Sequence, residues 1–289
     1  MNRPFLGTQA LATAALTRGQ LRWNYRAILP NVYVRADTPV SLDDRIVAAW
    51  LWSGKRAVIA GRSAAALHGA LWVKQHVPIE LLWRCGRPPA GIIARNERVE
   101  ADELVTIRGM QVTTPERTAF DLARHLARLP AVSHLDALAR ATGLQAASAL
   151  RLGERYPGAR GVVGARRVIP LLDPGGQSPK ETWLRLTVLD AGFPRPTTQI
   201  PVTDGFNTAY LDMGWEDPQI GLDYDGDQHR KDRVRYVHDV GRNELVAQTG
   251  WMDLHVLAEH SPAFIIHRLR RAFERRGWAR DGRRRPDCR

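Results

Sequence analysis

Residues 173–179 read Asp-Pro-Gly-Gly-Gln-Ser-Pro, a stretch through which no helix or strand can run. The two prolines remove backbone donors and fix φ, and the two glycines carry a conformational freedom that regular structure must give up. The chain is therefore expected to fold as two bodies, one on either side of this break. Its 289 residues are enough for each body to bury a core. An apolar fraction of 44% and a charged fraction of 25% are those of a globular protein. No apolar run approaches the roughly 18 residues of a membrane span, so no membrane partner is expected. The early Ala10–Leu16 run is short and interrupted by Thr13, which predicts a helix rather than a signal peptide. Cys85 and Cys288 are too few for a disulfide framework or a thiolate zinc site, so a reducing cytoplasm is the expected location.

The net charge of +12 falls entirely before the break, because residues 173–289 hold 18 basic and 18 acidic side chains. A basic leading half is what a polyanion partner, DNA above all, would meet. The second half is polarised internally, with nine acids between Asp204 and Asp239 and ten arginines from Arg268 onward. An acidic centre with basic flanks suits a phosphodiester-cutting site, while a solvated helix face and tail explain the arginines equally well.

The first forty residues read helix, turn, helix, strand. Gln9–Leu16 predicts a short helix, and Thr17 is placed to cap a second helix over Arg18–Arg26. Arg18, Arg22 and Arg26 then fall at i, i+4 and i+8, a basic face that with Gln20 could read base edges in a major groove. A helix hairpin with a solvated basic face fits the same spacing. Farther on, Ala57–Ala60 and Ile79–Trp83 predict strands, Thr114-Pro115 starts a helix, and residues 130–172 predict helices throughout. His68 lies on a helix of small residues and has no partner at metal spacing, so a packed or exposed histidine is expected there.

After the break, Ser178-Pro179-Lys180-Glu181 fits a helical capping box. Tyr210–Trp215 and Ile220–Gly226 predict strands joined by the turn Glu216-Asp217-Pro218-Gln219. If Trp215 pairs with Ile220, Asp212 lies opposite Asp223, and Asp225 points to the same face two residues on. Like charges so placed repel, and a divalent cation with oxygen ligands is the simplest offset, although a solvated acidic face is the plainer alternative. Leu222 and Tyr224 between the acids argue for a strand at least half buried. Gly250-Trp251 with Leu254, Val256 and Leu257 predicts the last core strand.

Two family resemblances rest on these motifs. Thr17–Arg22 with Val32-Tyr33-Val34, Ser63–Ala70 and Thr113–Asp121 resemble the abortive-infection type IV antitoxins over roughly residues 5–125. That resemblance implies a winged helix binding DNA and a nucleotidyltransferase toxin as partner; Leu29-Pro30-Asn31 departs from the family's usual Arg and Gly before the strand. Asp212, Asp223-Tyr224-Asp225-Gly226, His229, Asp239, Arg242, Asn243 and Gly250-Trp251 resemble the restriction-endonuclease-like superfamily, near the very-short-patch repair endonucleases. The match runs from Ser178-Pro179-Lys180-Glu181 through Ala191-Gly192-Phe193-Pro194, and covers roughly residues 170–275. It implies Mg²⁺ or Mn²⁺ held by Asp212 and Asp223, with Asp225, His229 and Glu181 as further catalytic positions. Here Asp223 replaces the branch's usual Glu, and Asp225 stands where the superfamily usually has Lys. Water activation would then rest on the metal, helped by His229 or Lys231.

The expected architecture is mixed α/β: a winged helix-turn-helix over 1–40, an α+β and helical connector over 41–172, a restriction-endonuclease-like domain over 173–275 and an Arg-rich tail over 276–289. The expected function is a metal-dependent DNA endonuclease or nickase with a DNA-binding N-terminal region, in phage defence or repair. The alternative is a non-catalytic, antitoxin-like DNA-binding regulator that keeps a degenerate nuclease fold.

Overall fold

A computed structural model describes residues 3–225, 233–279 and 281–283, and for 233–240 the backbone alone. The chain is mixed α/β and divides into two compact units, Met1–Leu172 and Asp173–Arg289.

The first unit opens with β1 (Phe5–Leu6), α1 (Gly7–Ala12), α2 (Arg18–Asn24), β2 (Tyr25–Leu29) and β3 (Val32–Arg35), the strands forming a sheet in the order β1-β3-β2. Helix α1 ends earlier than its sequence suggests, because Ala14 takes φ 53° and the Thr13 hydroxyl turns back onto the Gln9 carbonyl at 3.0 Å. Thr17 caps α2 as expected: its hydroxyl accepts from the Gln20 amide at 3.2 Å, and the Gln20 side-chain oxygen accepts from the Thr17 amide at 2.8 Å. The helix stops at Asn24 rather than Arg26. Tyr25 is already extended (φ −133°, ψ 151°), pairs with Arg35 and sets its ring edge-on to Phe5.

Helix α3 (Leu42–Trp52), capped by Ser41 and Asp44, buries Ala48 and Leu51 with Val32, and Ile46 and Ala49 with the next sheet. That sheet has the order β6-β5-β4-β8-β7, from β4 (Val58–Ile59), β5 (Ile79–Leu82), β6 (Ile92–Arg95), β7 (Leu104–Ile107) and β8 (Met110–Thr113). Helix α4 (Gly61–Leu67) follows β4, and α5 (Pro115–His125), α6 (Arg128–Thr142), α7 (Ala146–Arg155) and α8 (Val162–Val168) complete the unit. His68 closes α4 and sets Nε2 2.7 Å from the Thr113 carbonyl oxygen, which makes it a packing residue.

Charged side chains form part of this core. Glu80 is buried and accepts from Arg62 and Arg95, each at 2.7 Å. Burial pushes its pKa up, but the two guanidinium groups outweigh burial and hold it below the usual carboxylate range. Arg117 sits in a nest of Asp121, Glu103 and Glu97. Burial works against its charge, and Asp121 and Glu103 overcome that and keep the guanidinium charged.

Two groups make this unit acid-labile in separate windows. Burial, helped by Arg62, lowers His134 from 6.5 to about 4. Burial raises Glu97, but His125 and Arg124 outweigh it and bring the carboxyl from 4.5 to about 2. Both folded-state values are depressed, so the unfolded chain binds more protons in each window, and stability falls as the pH falls. The midpoint of urea unfolding is expected to drop first between pH 6.5 and about 4, and again from 4.5 towards 2, the second drop partly offset by Asp121, whose carboxyl burial raises. His134→Leu should remove the first slope and spare the second; an unchanged profile would assign that slope elsewhere.

The second unit begins with α9 (Pro179–Asp190) and continues through β9 (Thr197–Thr203), β10 (Thr208–Trp215), β11 (Ile220–Asp225), α10 (Arg233–Gln248), β12 (Met252–Leu257) and α11 (Pro262–Arg275). Its sheet has the order β12-β11-β10-β9, an antiparallel meander to which β12 adds in parallel after α10. One face packs Leu184 and Val188 of α9 and Leu269 and Phe273 of α11 against Met213, Ile220, Leu222 and Val256. The other packs Leu245 and Val246 of α10 against Ile200, Val202 and Leu211. Leu211 and Met213 are two residues apart yet join opposite cores, so strand alternation breaks at Asp212. Gln199, facing that break on β9, takes φ 54°.

Candidate metal and nucleic-acid sites

The β10–β11 hairpin has the expected register: Trp215 pairs with Ile220, Gly214 with Gly221 and Met213 with Leu222. Beyond Met213 side chains replace the backbone ladder. The Asp212 amide donates to Asp223 Oδ1 at 2.7 Å, and the Tyr224 amide donates to Asp212 Oδ2 at 2.8 Å. Each carboxylate thus satisfies a backbone donor that the splayed strands leave open. Arg242 of α10 reaches across to Asp223 Oδ2 and donates to the Tyr210 carbonyl at 2.8 Å.

Strand β12 adds two residues that the hairpin motif does not contain. His255 pairs in register with Asp223, and Asp253 with Gly221, so both lie on the face of Asp223 and Asp225. His255 Nδ1 lies 2.9 Å from Asp225 Oδ2, and its Nε2 lies 3.2 Å from Asp253 Oδ2. Ligand atoms of Asp223, Asp253 and His255 all fall within 4.8 Å of one another. Their sequence signal was the polar pair at i and i+2 in Met252–Leu257, alternating with the apolar Met252, Leu254 and Val256.

Burial raises Asp223 to about 7, with Asp253 and Asp212 adding repulsion, and burial likewise raises Asp212. His255 is raised as well, to about 10, because the flanking carboxylates of Asp225 and Asp253 stabilise the protonated imidazole. The mutual repulsion anticipated from sequence is therefore met within the fold by Arg242 and His255. An imidazole beside carboxylates is a donor set for a transition ion more than for Mg²⁺, which prefers oxygen ligands and retained waters.

Glu181 lies in the first turn of α9. Its amide donates to Ser178 Oγ at 3.1 Å, while its Oε2 accepts from the Gln177 amide at 2.8 Å. The reciprocal bond of the capping box thus goes to Gln177, one residue before the position expected. His229 and Lys231 lie outside the described residues, as does the side chain of Asp239.

In the first unit Arg18, Gln20 and Arg22 lie exposed on α2, and the Arg22 guanidinium stacks 5.6 Å from the ring centroid of Trp23. Trp23 is 78% exposed. Arg26 is not part of that helical face. It lies on β2, where it pairs with Val34 and donates to the Thr38 carbonyl at 3.1 Å. The i, i+4, i+8 face therefore shortens to Arg18 and Arg22, because the chain becomes strand at Tyr25.

Residues 57–174 match the AbiEi antitoxin C-terminal domain. The antitoxin-like stretch begins at β4, contains the buried Glu80 and Arg117 networks and α5 to α8, and ends inside the 173–179 break. It includes neither α2 nor the acid cluster. An uncharacterised protein found in each of two strains of Mycobacterium tuberculosis is 27% identical over 237 residues, spanning 80% of this chain and 86% of its own. Among the described residues no helix is long and apolar enough to cross a membrane.

Proposed function

We propose that the protein is an antitoxin-like, DNA-binding transcriptional regulator. The observation that carries this reading is the AbiEi antitoxin match over residues 57–174, in a unit whose leading segment carries an exposed basic helix. In this reading α1, α2 and the β2–β3 hairpin act as a winged helix, with Arg18 and Arg22 on phosphates or guanine edges and Gln20 alongside them. Arg26, on β2, would contact backbone from the wing side. The partner would be a nucleotidyltransferase toxin encoded with it, as the antitoxin resemblance implies.

The test is gel-shift binding to duplex DNA from the region upstream of its own gene, across a salt series. Arg18→Ala and Arg22→Ala are each expected to weaken binding and to lower the slope of log K against log salt by about 1. Binding that is unchanged in the double variant would sink the α2 interface. Retained binding with a full salt slope would move it to another basic surface.

The acid cluster of the second unit supports a second reading, a metal-dependent endonuclease or nickase. Asp212, Asp223 and Asp225 would form its centre, with His229 and Glu181 as auxiliary groups and Mg²⁺ or Mn²⁺ lowering the pKa of a bound water. Supercoiled plasmid with either metal should then be nicked by the wild type and left intact with EDTA or in Asp212→Ala. Binding without cutting leaves the regulator alone.

A further inference from the structure

We propose that Asp223, Asp253 and His255 form a binding site for a divalent first-row transition ion, with Asp225 orienting the imidazole and Arg242 as the counter-ion that the metal displaces. The site differs from the Asp212–Asp223 pair of the hairpin, because two of its three ligands come from β12. It does not depend on whether the protein cuts nucleic acid.

Three independent observations support it. The first is convergence. Two ligands each about 2.0–2.2 Å from an ion lie at most about 4.4 Å apart. The donor atoms here already fall within 4.8 Å of one another, so closing on an ion requires only a small contraction.

The second is the orientation of the imidazole. Loss of the Nε2 proton to an incoming ion would leave Nδ1–H donating to Asp225 at 2.9 Å and free the Nε2 lone pair on the side of Asp253, 3.2 Å away. A carboxylate behind a histidine, fixing its tautomer and raising its basicity, is the usual support of a metal-bound imidazole. This gives Asp225 a role that does not require it to touch the ion.

The third is Asp253 itself. Its side chain is only 9% exposed, and among the described residues neither carboxylate oxygen has a hydrogen-bond donor in good geometry. The nearest cations among the described residues are His255 at 3.2 Å and Arg242 at 3.7 Å, the latter beyond hydrogen-bond reach. A buried carboxylate with no hydrogen bond is costly, and coordination to an ion removes that cost. Gly221 keeps the space open, since a Cβ there would stand 3.1 Å from Asp253 Oδ1.

Arg242 has somewhere to go. It lines a groove of about 710 Å³ together with Tyr210, Glu244 and Gln248. Swinging into that groove would exchange Asp223 for Glu244 as its acidic neighbour. One nitrogen and two carboxylate ligands favour Zn²⁺, and more weakly Mn²⁺, over Mg²⁺.

The experiment is calorimetric titration of the full chain with Zn²⁺, Mn²⁺ and Mg²⁺ separately, with Co²⁺ as a visible-absorption probe of nitrogen and oxygen coordination. One ion per chain is expected, in the order Zn²⁺ above Mn²⁺ above Mg²⁺. His255→Gln keeps a polar side chain beside Asp225 but loses the ligand nitrogen, and should weaken Zn²⁺ at least about tenfold and change the Co²⁺ bands. Asp225→Asn should weaken it about 10- to 100-fold, and Arg242→Met should tighten it. Absence of Zn²⁺ binding, or binding and Co²⁺ bands unaltered in His255→Gln, would overturn the site. Because no nucleic acid is present, that failure is distinct from failure of the plasmid assay.

Discussion

Replacing Arg117 by Leu is expected to destabilise the first unit by about 3–5 kcal/mol, the cost of breaking a buried ion pair from one side. The Arg117 side chain is 2% exposed, and its guanidinium donates to Asp121 at 3.1 Å and to Glu103 at 2.6 Å. Leucine fills part of the volume but leaves both carboxylates buried with fewer donors. Glu103 would keep Arg155 and Tyr156, at 2.8 and 2.6 Å, and Asp121 would keep Arg124. Arg117→Lys should recover only part of the loss, because an ammonium lacks the planar fork that serves two acids at once. Urea unfolding followed by circular dichroism gives the magnitude, and hydrogen exchange over residues 110–125 locates it. A loss below about 1 kcal/mol would mean that the remaining arginines suffice and that Arg117 is not the centre of the network. Adding Asp121→Leu to Arg117→Leu should recover only part of the loss, since it removes one stranded carboxylate but takes a partner from the buried Arg124.

Gly214→Val is expected to cost the second unit about 3 kcal/mol, at the upper end of overpacking penalties. A Cβ at this position would stand 2.4 Å from the backbone carbonyl oxygen of Ile220 and 3.2 Å from the Gly221 Cα. The obstruction is main chain, so no rotamer change relieves it, and β10 and β11 must separate. That separation acts directly on the acid cluster, because Asp212 and Asp223 hold each other's strands through the amides just beyond Gly214. Loss of exchange protection should therefore spread through residues 208–225 while residues 110–125 stay protected. Equal loss in both segments would show that the two units unfold as one.

Much of the second unit was legible in the chain. The turn Glu216–Gln219 lies between two apolar runs, and a four-residue connection there sets Trp215 opposite Ile220, the register observed. The caps at Thr17, Thr114 and Ser178 were legible for a similar reason: a hydroxyl three residues before an orphan amide is a local arrangement. Local reasoning failed where two conformations compete over one stretch. Arg26 continues a helical spacing on paper, yet Tyr25 has a strand partner in Arg35 and a ring partner in Phe5, and those long-range contacts end the helix.

The sequence by itself determined the break at 173–179, the caps, the hairpin register and the crowding of Asp212 against Asp223, because each follows from neighbours within about a dozen residues. Only the tertiary structure decided what balances that crowding. Arg242 arrives from α10 and His255 and Asp253 from a parallel strand thirty residues along, and parallel pairing leaves no sequence-local register to read. The same holds for Arg117, whose acidic partners Glu97 and Glu103 lie 20 and 14 residues before it. A charged side chain in the sequence looks solvated until the fold brings up the opposite charges that allow it to be buried.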